Sequence, residues 1–397
     1  MDIISELDGK RILIWGYGRE GKATEHFLER CVKPASVDIF EGKREEINED
    51  AYDFIIKSPG IVMKEENPKY TSETELFLQQ FRAQVIGITG TKGKSTTSAM
   101  LYTVLKACSG RPVLLLGNIG QPCLDYFEEV TEDTIIVYEM SCHQLAHTNV
   151  SPHIAIFLNL YEEHLDYYGT VEKYFEAKSH IAAYQKSGDF FFVGENVPKI
   201  ETKAEKTVLH QPKDVHYKLK LAGEHNQYDA QFVEHVAELL GCEKEAVLKS
   251  MAEFEGLPHR LQYIGTYRGV RYFDDSISTI PEAAINAAMS IPDAKTILIG
   301  GMDRGINYDL LITFIREHRE FQFICAYASG KRIFGEVGDC ENCVYVEDLE
   351  QAVEAAVQMT EPGGACILSP AAASYGYFKN FEERGEAFQK YVYAFAQ

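Results

Sequence analysis

The chain has 397 residues, 45% of them hydrophobic and 25% charged, which is typical of soluble globular proteins with more than one domain. The formal charge of −21 repels polyanions and disfavours nucleic acid as a partner. The sequence has neither a run of about 18 apolar residues nor a signal-peptide pattern, so we expect a cytoplasmic protein without a membrane anchor.

The first segment reads as a strand, a glycine turn and a helix. In RILIWGYGREGKATEHFLER, the apolar run Ile12 to Trp15 precedes three glycines in G-x-G-x-x-G spacing, Gly16, Gly18 and Gly21. Two further apolar stretches, SVDIF and YDFIIKSPGI, favour a parallel sheet. The turn suits a dinucleotide, a nucleotide sugar or a purely structural role, and Arg19 adds a cation beside it.

A second set of strands follows, in the stretches QVIGITG, PVLLLG, TIIVYEM and HIAIFLNL. Each is apolar enough to be buried on both faces of a sheet. Residues 195 to 214 are more polar and indicate a small β excursion, before the helical stretch QYDAQFVEHVAELLG.

A third set begins after GLPHR, at residues 256 to 260. The stretches RGVRYFDD, AKTILIGG, QFICAYA and CILSP predict strands, and PEAAINAAMSI, DLEQAVEAAVQMT and ERGEAFQKYVYAFA predict helices. The nine cysteines are scattered. Cys340 and Cys343 form C-E-N-C without a second pair at metal spacing, so we expect free thiols.

The stretch GITGTKGKSTT lies between the second set's first strand and a helix predicted from Ser95 onward. Its glycines let backbone N–H groups surround a phosphate, and a lysine and hydroxyl groups complete the loop. Ile88 stands where a strict Walker motif has glycine, so this is a related but distinct loop. The nucleotide-binding candidates are Gly90, Thr91, Lys92, Gly93, Lys94, Ser95 and Thr96, and the hydroxyls of Ser95 and Thr96 are placed to contact a magnesium ion.

Three more polar residues follow neighbouring strands. Glu139 ends a buried strand, His164 comes just past the next one, and Lys178 lies on the following helix. Ligands gather at the carboxyl ends of the strands in open α/β sheets, so a carboxylate and an imidazole there suit metal ions. Each residue also has a structural alternative: a capping acid, a buried histidine with satisfied hydrogen bonds, or a solvated lysine.

Eight motifs occur in the order in which the Mur ligases carry similar ones: GITGTKGKSTT, GNIGQP, YEMSCHQL, NLYEEHLDYYG, FEAKSHI, LAGEHN, LPHRLQ and LSPAAASYGYFKNFEERG. The chain resembles that family over essentially its whole length. The resemblance implies an α/β protein of three domains: a Rossmann-like UDP-sugar domain over residues 1–84, a central P-loop ATPase domain with a parallel sheet over 85–257, and a Rossmann-like amino-acid-binding domain over 258–397.

The resemblance also implies an activity, the ATP-dependent, ADP-forming addition of glutamate to UDP-N-acetylmuramoyl-L-alanine through an acyl phosphate. This reaction belongs to cytoplasmic peptidoglycan precursor synthesis, with D-glutamate the first expectation. The implied cofactors are ATP, two Mg²⁺ ions and a carbamylated lysine at Lys178. We expect small-molecule substrates, no nucleic acid or membrane partner, and a monomer.

Site residues carry over motif by motif. The implied catalytic residues are Lys94, Lys178, His164 and Asn118, and the metal ligands are Ser95, Glu139, His164 and carbamylated Lys178. His259, Arg260 and Asp275 are implied to contact the nucleotide. The implied UDP-sugar residues are Gly16, Tyr17, Gly18, Arg19, Glu41, Lys43, Ser58, Pro59 and Gly60. The residues implied to bind the amino acid are Thr279, Arg304, Ser374 and Phe381. The arginine and the two hydroxyl groups of this set suit a dicarboxylate.

The chain departs from the family pattern at three positions. Ile277 and Ile280 stand where a lysine and an asparagine are usual, and Asp229 replaces an asparagine. These changes leave open whether the acceptor is D-glutamate, L-glutamate or another acidic amino acid.

Three other classes compete with this interpretation. A nicotinamide oxidoreductase explains the first glycine turn but leaves Lys94, Glu139 and His164 unused. A folate-type glutamate ligase of the same superfamily explains the motifs of the central segment, but such enzymes lack a domain with a glycine turn before the phosphate loop. A non-catalytic binding relative would have lost the metal residues, which are present here.

Overall fold

The computed structural model describes residues 2–61, 67–212, 216–221 and 223–396. The chain forms two compact units. Unit 1 comprises Met1–Leu219 and Glu224–Phe254, and unit 2 comprises Lys220–Gly223 and Glu255–Gln397. Ala222 of the LAGEHN motif lies outside the described residues, as do residues 213 and 214 of the predicted β excursion.

The first sheet of unit 1 has four parallel strands in the order β2-β1-β3-β4. The strands are β1 Arg11–Trp15, β2 Ser36–Phe40, β3 Phe54–Lys57 and β4 Tyr70–Thr71, and the helices are α1 Ile3–Leu7, α2 Arg19–Cys31 and α3 Glu73–Phe81. The predicted turn therefore connects a central strand of this sheet, β1, to α2.

The second sheet of unit 1 has six parallel strands in the order β10-β9-β8-β5-β7-β6. Its strands are β5 Val85–Thr89, β6 Val113–Gly117, β7 Ile135–Glu139, β8 Ile154–Phe157, β9 Phe190–Gly194 and β10 Glu205–Leu209. The helices are α4 Lys94–Cys108, α5 Cys142–Leu145, α6 Leu165–Tyr168, α7 Val171–Ala183, α8 Glu224–Leu239 and α9 Lys244–Glu253. The predicted β excursion supplies the edge strand β10, and β9 was not predicted.

The two sheets of unit 1 share one hydrophobic core. Phe77 of α3 packs against Tyr138 of β7, with ring centroids 6.0 Å apart, and Phe27 of α2 packs against Phe127 in the connection between β6 and β7, with ring centroids 4.7 Å apart. Because continuous apolar packing couples elements mechanically, the first glycine turn and the phosphate loop are held in one unit.

Unit 2 contains a six-stranded sheet in the order β11-β12-β16-β13-β14-β15. Its strands are β11 Gln262–Tyr267, β12 Val270–Asp274, β13 Ala294–Ile299, β14 Gln322–Ala326, β15 Cys343–Val346 and β16 Ala365–Leu368. The helices are α10 Pro281–Ser290, α11 Asp309–Glu317, α12 Tyr327–Val337, α13 Leu349–Met359 and α14 Phe381–Phe395. Strands β11 and β12 are antiparallel, and the other pairs are parallel.

Some predictions for unit 2 were incomplete. Strands β11 and β15 and helices α11 and α12 were not predicted. The stretch QFICAYA was predicted to be a strand throughout, but the strand ends at Ala326 and α12 begins at Tyr327, which has a φ of +62°. Among the described residues, no helix combines the length and apolar character that crossing a bilayer requires.

Candidate active site

The phosphate loop connects β5, whose five residues are all buried, to α4. Gly90 and Gly93 have φ values of +156° and +84°, which glycine adopts without strain. Lys94 is the first residue of α4, and its Nζ donates to the carbonyl oxygens of Gly90 and Thr91, each at 2.9 Å. The lysine thus folds back over the loop, beside the first amides of the helix, which have no intrahelical acceptor.

The segment after β8 holds the other side of this loop. The backbone N–H of Thr91 donates to Asn159 O at 3.0 Å, and that of Lys92 donates to Asn159 Oδ1 at 2.9 Å. The exposed Lys92 side chain pairs with Glu163 at 2.7 Å. Lys92 was predicted to bind the nucleotide, and here its charge lies against this carboxylate.

Glu139 is the last residue of β7 and is fully buried. Its Oε1 accepts from Asn118 Nδ2 at 2.7 Å, whereas its Oε2 has no hydrogen-bond partner among the described residues. A buried carboxylate oxygen without a partner is costly, and a hard cation with oxygen ligands compensates that cost. The carboxylate therefore fits a magnesium ion, and Ser95, buried in the first turn of α4, offers a hydroxyl.

Lys178 points from α7 to the same loop and is 1% exposed. Its Nζ donates to Gly90 O at 2.8 Å, so Lys178 and Lys94 share one acceptor. Burial, followed by the charge of Lys94, lowers the pKa of Lys178 to about 7. Burial also lowers the pKa of Lys94, although Glu139 opposes this shift. Near neutral pH, a large fraction of Lys178 is therefore a neutral amine.

Six of the predicted residues line one cavity of about 370 Å³ in unit 1: Pro59, Gly60, Lys94, Asn118, His164 and Lys178. Sequence reasoning selected none of the remaining lining residues, which are Glu20, Ser141, Cys142, His143, Gln144 and Tyr174. Four of them lie in the quoted motif YEMSCHQL, immediately after Glu139. Their position beside a selected residue is the signal that was available in the sequence.

The glycine turn of the first sheet faces the loop Ser58-Pro59-Gly60. Ser58 Oγ donates to Gly16 O at 2.9 Å, and a Cβ on Gly16 would lie 2.6 Å from that hydroxyl oxygen. Arg19 was predicted to lie beside a diphosphate. In the structure, its Nη2 donates a hydrogen bond to Gly120 O of the GNIGQP motif at 2.8 Å.

The other residues predicted for the UDP-sugar lie around this turn. The exposed residues Glu41 and Lys43 flank Gly42, whose carbonyl accepts from Trp15 Nε1 at 2.9 Å. Tyr17 donates its hydroxyl hydrogen bond to the Glu25 carboxylate.

A cluster of buried and half-buried titratable side chains lies near the turn, and it was not predicted from the sequence. Gln144 Nε2 donates to Glu20 Oε1 at 2.8 Å, and the backbone N–H of Leu124 donates to Glu73 Oε1 at 2.9 Å. Burial raises the pKa of Glu20 and holds that of Glu73 well above its usual range. Burial lowers the pKa of Lys57 to about 8, although Glu20 opposes the shift.

In unit 2, the predicted residues follow three neighbouring strands. Thr279 follows β12, Arg304 follows β13 and Ser374 follows β16, and the parallel order β12-β16-β13 brings these carboxyl ends to one edge. The fully buried Arg384 connects two of these loops, because its guanidinium donates to Ser276 and to Ala372 O. Arg304 is exposed, and Ser374 is buried.

The residues predicted to contact the nucleotide begin this unit. His259 has a φ of +60°, its Nδ1 lies 2.7 Å from Asp274 Oδ2, and this carboxylate raises the pKa of the histidine. Its ring contacts Phe381 edge-on, with centroids 6.1 Å apart. Burial raises the pKa of Asp275 to about 6. Arg260 is exposed.

Comparison with known proteins identifies the family. Residues 88–238 match the Mur ligase middle domain. The chain is 30% identical to the UDP-N-acetylmuramoylalanine–D-glutamate ligase of Aquifex aeolicus, over 96% of this chain and 98% of the relative. The enzyme of the same name from Streptococcus mutans is also 30% identical, over 98% of both chains. The chain belongs to the Mur ligase family.

Solved Mur ligases also share the fold of this Mur ligase. The crystal structure of MurF ligase from Thermotoga maritima in complex with ADP superposes with a TM-score of 0.60, at 17% identity, over 98% of this chain and 96% of that chain. At this identity the superposition establishes the α/β fold alone. The predicted fold class and family are thereby confirmed.

Proposed function

We propose that this Mur ligase catalyses the ATP-dependent, ADP-forming addition of glutamate to UDP-N-acetylmuramoyl-L-alanine in peptidoglycan precursor synthesis. The observation that carries the proposal is the cavity in which Lys94, Lys178 and Asn118 meet the loop Pro59-Gly60 of the first sheet. A nucleotide phosphate and a UDP-linked substrate can therefore share one site. The names of the relatives that match nearly the whole chain support the same activity.

The phosphate loop would bind ATP. The first amides of α4 and the Lys94 ammonium provide positive charge for the β- and γ-phosphates, and Gly90, Thr91, Lys92, Gly93, Ser95 and Thr96 form the rest of the loop. The substrate carboxylate attacks the γ-phosphorus, ADP leaves, and an acyl phosphate results. The glutamate amine then attacks the acyl carbon, phosphate leaves, and the nitrogen loses a proton.

Two Mg²⁺ ions fit the donors around this loop. Glu139, with its unpartnered Oε2, and Ser95 would hold one ion, and His164 and carbamylated Lys178 would hold the other. When bound, magnesium neutralises negative charge on the phosphate and carboxylate oxygens. Asn118 orients Glu139 through its amide hydrogen bond, which leaves Oε2 directed away from Asn118.

Lys178 is proposed to carry the carbamate. Only a neutral amine reacts with CO₂, forming the N–C bond and releasing a proton, and the lowered pKa of this lysine supplies that form. The product is an anion. The carbamate would replace a cation, which Lys94 repels, by an anion, which Lys94 and a metal ion attract.

The first sheet is proposed to bind the UDP moiety. The N-terminus of α2, with Gly16, Tyr17, Gly18 and Arg19, suits the diphosphate, and Glu41 and Lys43 lie at the end of β2 for the uracil. Ser58, Pro59 and Gly60 close the other side of the turn, and the Ser58 hydrogen bond to Gly16 supports this assignment.

Unit 2 is proposed to bind the amino acid, and its residues His259, Arg260 and Asp275 are proposed to contact the nucleotide. Thr279, Arg304, Ser374 and Phe381 would bind the amino acid, with Arg304 paired to a carboxylate. Ile277 and Ile280 bring apolar side chains to the loop after β12, and we propose D-glutamate as the amino acid.

We further propose a cytoplasmic monomer with domain boundaries after residues 84 and 257. The start of β5 at Val85 and of β11 at Gln262 supports these boundaries. The strong negative charge supports small molecules, and not nucleic acid, as partners.

The test is phosphate release from ATP in the presence of UDP-N-acetylmuramoyl-L-alanine. D-glutamate, L-glutamate, D-aspartate and no amino acid are compared, and the product mass is measured. Turnover with D-glutamate alone supports the proposal. Preference for L-glutamate would assign a different stereospecificity to the DDSISTIPEA loop, and no turnover with any of them would refute the proposed substrate.

A further inference from the structure

Beside the phosphate loop, a thiol and two imidazoles converge. Cys142, His143 and His164 each offer one ligand atom, and these three atoms lie within 4.8 Å of one another. Cys142 and His143 open α5, whereas His164 precedes α6. All three residues line the cavity of unit 1 that also contains Lys94 and Lys178.

The cluster shares His164 with the proposed magnesium site but adds a thiol and a second imidazole, and these differ in their chemistry from oxygen ligands. Thiolate and imidazole ligands select zinc and related soft ions, whereas Mg²⁺ binds oxygen ligands in octahedral geometry. Tetrahedral zinc, with bonds of about 2.0 to 2.3 Å, sets neighbouring ligand atoms roughly 3.3 to 3.7 Å apart. The three atoms would therefore have to approach one another by roughly 1 Å.

The surrounding contacts favour that approach. The capping box between Ser141 and Gln144 fixes the backbone around the buried Cys142. His164 lies in a loop, and its own φ is +56°. Because its side chain is exposed, rotation of the imidazole can close the remaining distance. One ligand is held and another is adjustable, which is the arrangement that a binding ion can complete.

Tyr168 orients the third ligand. Its ring stacks on that of His143 with an interplanar angle of 12°, and its hydroxyl lies 3.2 Å from His143 Nδ1. Binding through Nε2 requires the proton on Nδ1, which then donates to the Tyr168 oxygen. A ligand histidine typically donates its second N–H to an oxygen in this way.

We propose that Cys142, His143 and His164 bind a divalent ion of the zinc class, with the fourth position open to the cavity. Because His164 is also the proposed ligand of a magnesium ion, zinc bound here would divert it and inhibit the ligase. The binding itself does not depend on the proposed function, and only the inhibition rests on it.

Cobalt(II) tests the binding because a cobalt–thiolate bond produces a charge-transfer absorption in the near ultraviolet. Titration of the full-length wild-type chain with Co²⁺ is expected to develop this band, and zinc should abolish it by displacement. Cys142→Ser is expected to lose the band, whereas Cys108→Ser, which changes a partly exposed cysteine of α4, should retain it. No band in the wild type, or a band that persists in Cys142→Ser, would overturn the proposal.

A second variant keeps the test decisive if Cys142→Ser lowers the thermal unfolding midpoint. His143→Gln is then expected to weaken cobalt binding by at least about tenfold, since loss even of an outer partner of a ligand costs that much. Equal affinity would refute the site.

In the ligase assay, zinc should inhibit the wild type at a concentration at least about tenfold below that needed for Cys142→Ser. Equal sensitivity would refute the diversion of His164. If the chain releases no phosphate at all, the proposed function fails, and the cobalt titration still decides the metal site.

Discussion

Replacing Asp229 by asparagine removes a buried titratable group that packs against the phosphate loop. Asp229 lies on α8 and is 2% exposed, and its Oδ2 has no hydrogen-bond partner among the described residues. A Cβ on Gly93 would lie 2.4 Å from this oxygen. Burial raises the pKa of Asp229 from 3.8 to about 8.

The sign of the effect follows from proton binding. Between the two pKa values the folded state holds a proton that the unfolded state has lost, so the stability of the wild type falls as pH rises from about 4 to about 8. Each pH unit well below the folded pKa corresponds to about 1.4 kcal/mol, and because half of the folded molecules have lost the proton at pH 8, the change between pH 6 and pH 8 is about 2.3 kcal/mol. Asparagine does not titrate, so the advantage of Asp229→Asn should grow by that amount over this range.

Hydrogen exchange of the α8 amides is the appropriate assay, because it reports the opening of the helix that carries Asp229. Variant and wild type are compared at the same pH, so the intrinsic exchange rate cancels. Going from pH 6 to pH 8, the ratio of their exchange rates should change by about fiftyfold. Asp133→Asn makes the same substitution at an exposed position and should show no such change. A ratio that is equal at both pH values for Asp229→Asn would refute the reasoning.

Four further predictions concern other parts of the molecule. Lys94→Ala should abolish phosphate release but leave UDP-sugar binding measurable by calorimetry; loss of both would contradict the separate roles of the two sheets in unit 1. Lys178→Ala should regain partial activity with formate, acetate or propionate, and no rescue by any of them would argue against a carbamate. Gly21→Ala places a Cβ 2.2 Å from the backbone oxygen of Gly16 and should lower the free energy of unfolding by about 1 to 3 kcal/mol. Urea unfolding followed by the fluorescence of the one tryptophan measures this loss. Gly18→Ala meets no atom within 4 Å and should be near neutral, so equal losses would exclude the clash. Arg384→Met removes the hydrogen bonds that link two loops of unit 2 and should lower the stability of this unit by about 3 kcal/mol. Hydrogen exchange of the α14 amides measures this loss, and unchanged protection would contradict the role of the link.

The amino-acid sequence by itself determined the elements whose signals are local. The strand, glycine loop and helix around Lys94 follow from GITGTKGKSTT, because apolar runs, glycines and a helix start act within a few residues. Glu139 at the end of β7 and Lys178 on α7 were predicted for the same reason. Strands β9 and β15 were not recognised, although both are apolar, because a short apolar run alone does not distinguish a strand from a buried helix segment.

Only the tertiary structure decided which distant residues meet and what their charges become. Gln144 and Glu20 are 124 positions apart in the chain, yet they form a hydrogen bond, and Arg19 reaches Gly120. Cys142, His143 and His164 bring a thiol and two imidazoles together in a cluster that no single motif contains. The pKa shifts of Lys178 and Asp229 arise from burial by residues on other elements, because desolvation depends on the whole surrounding volume and not on neighbours in the chain.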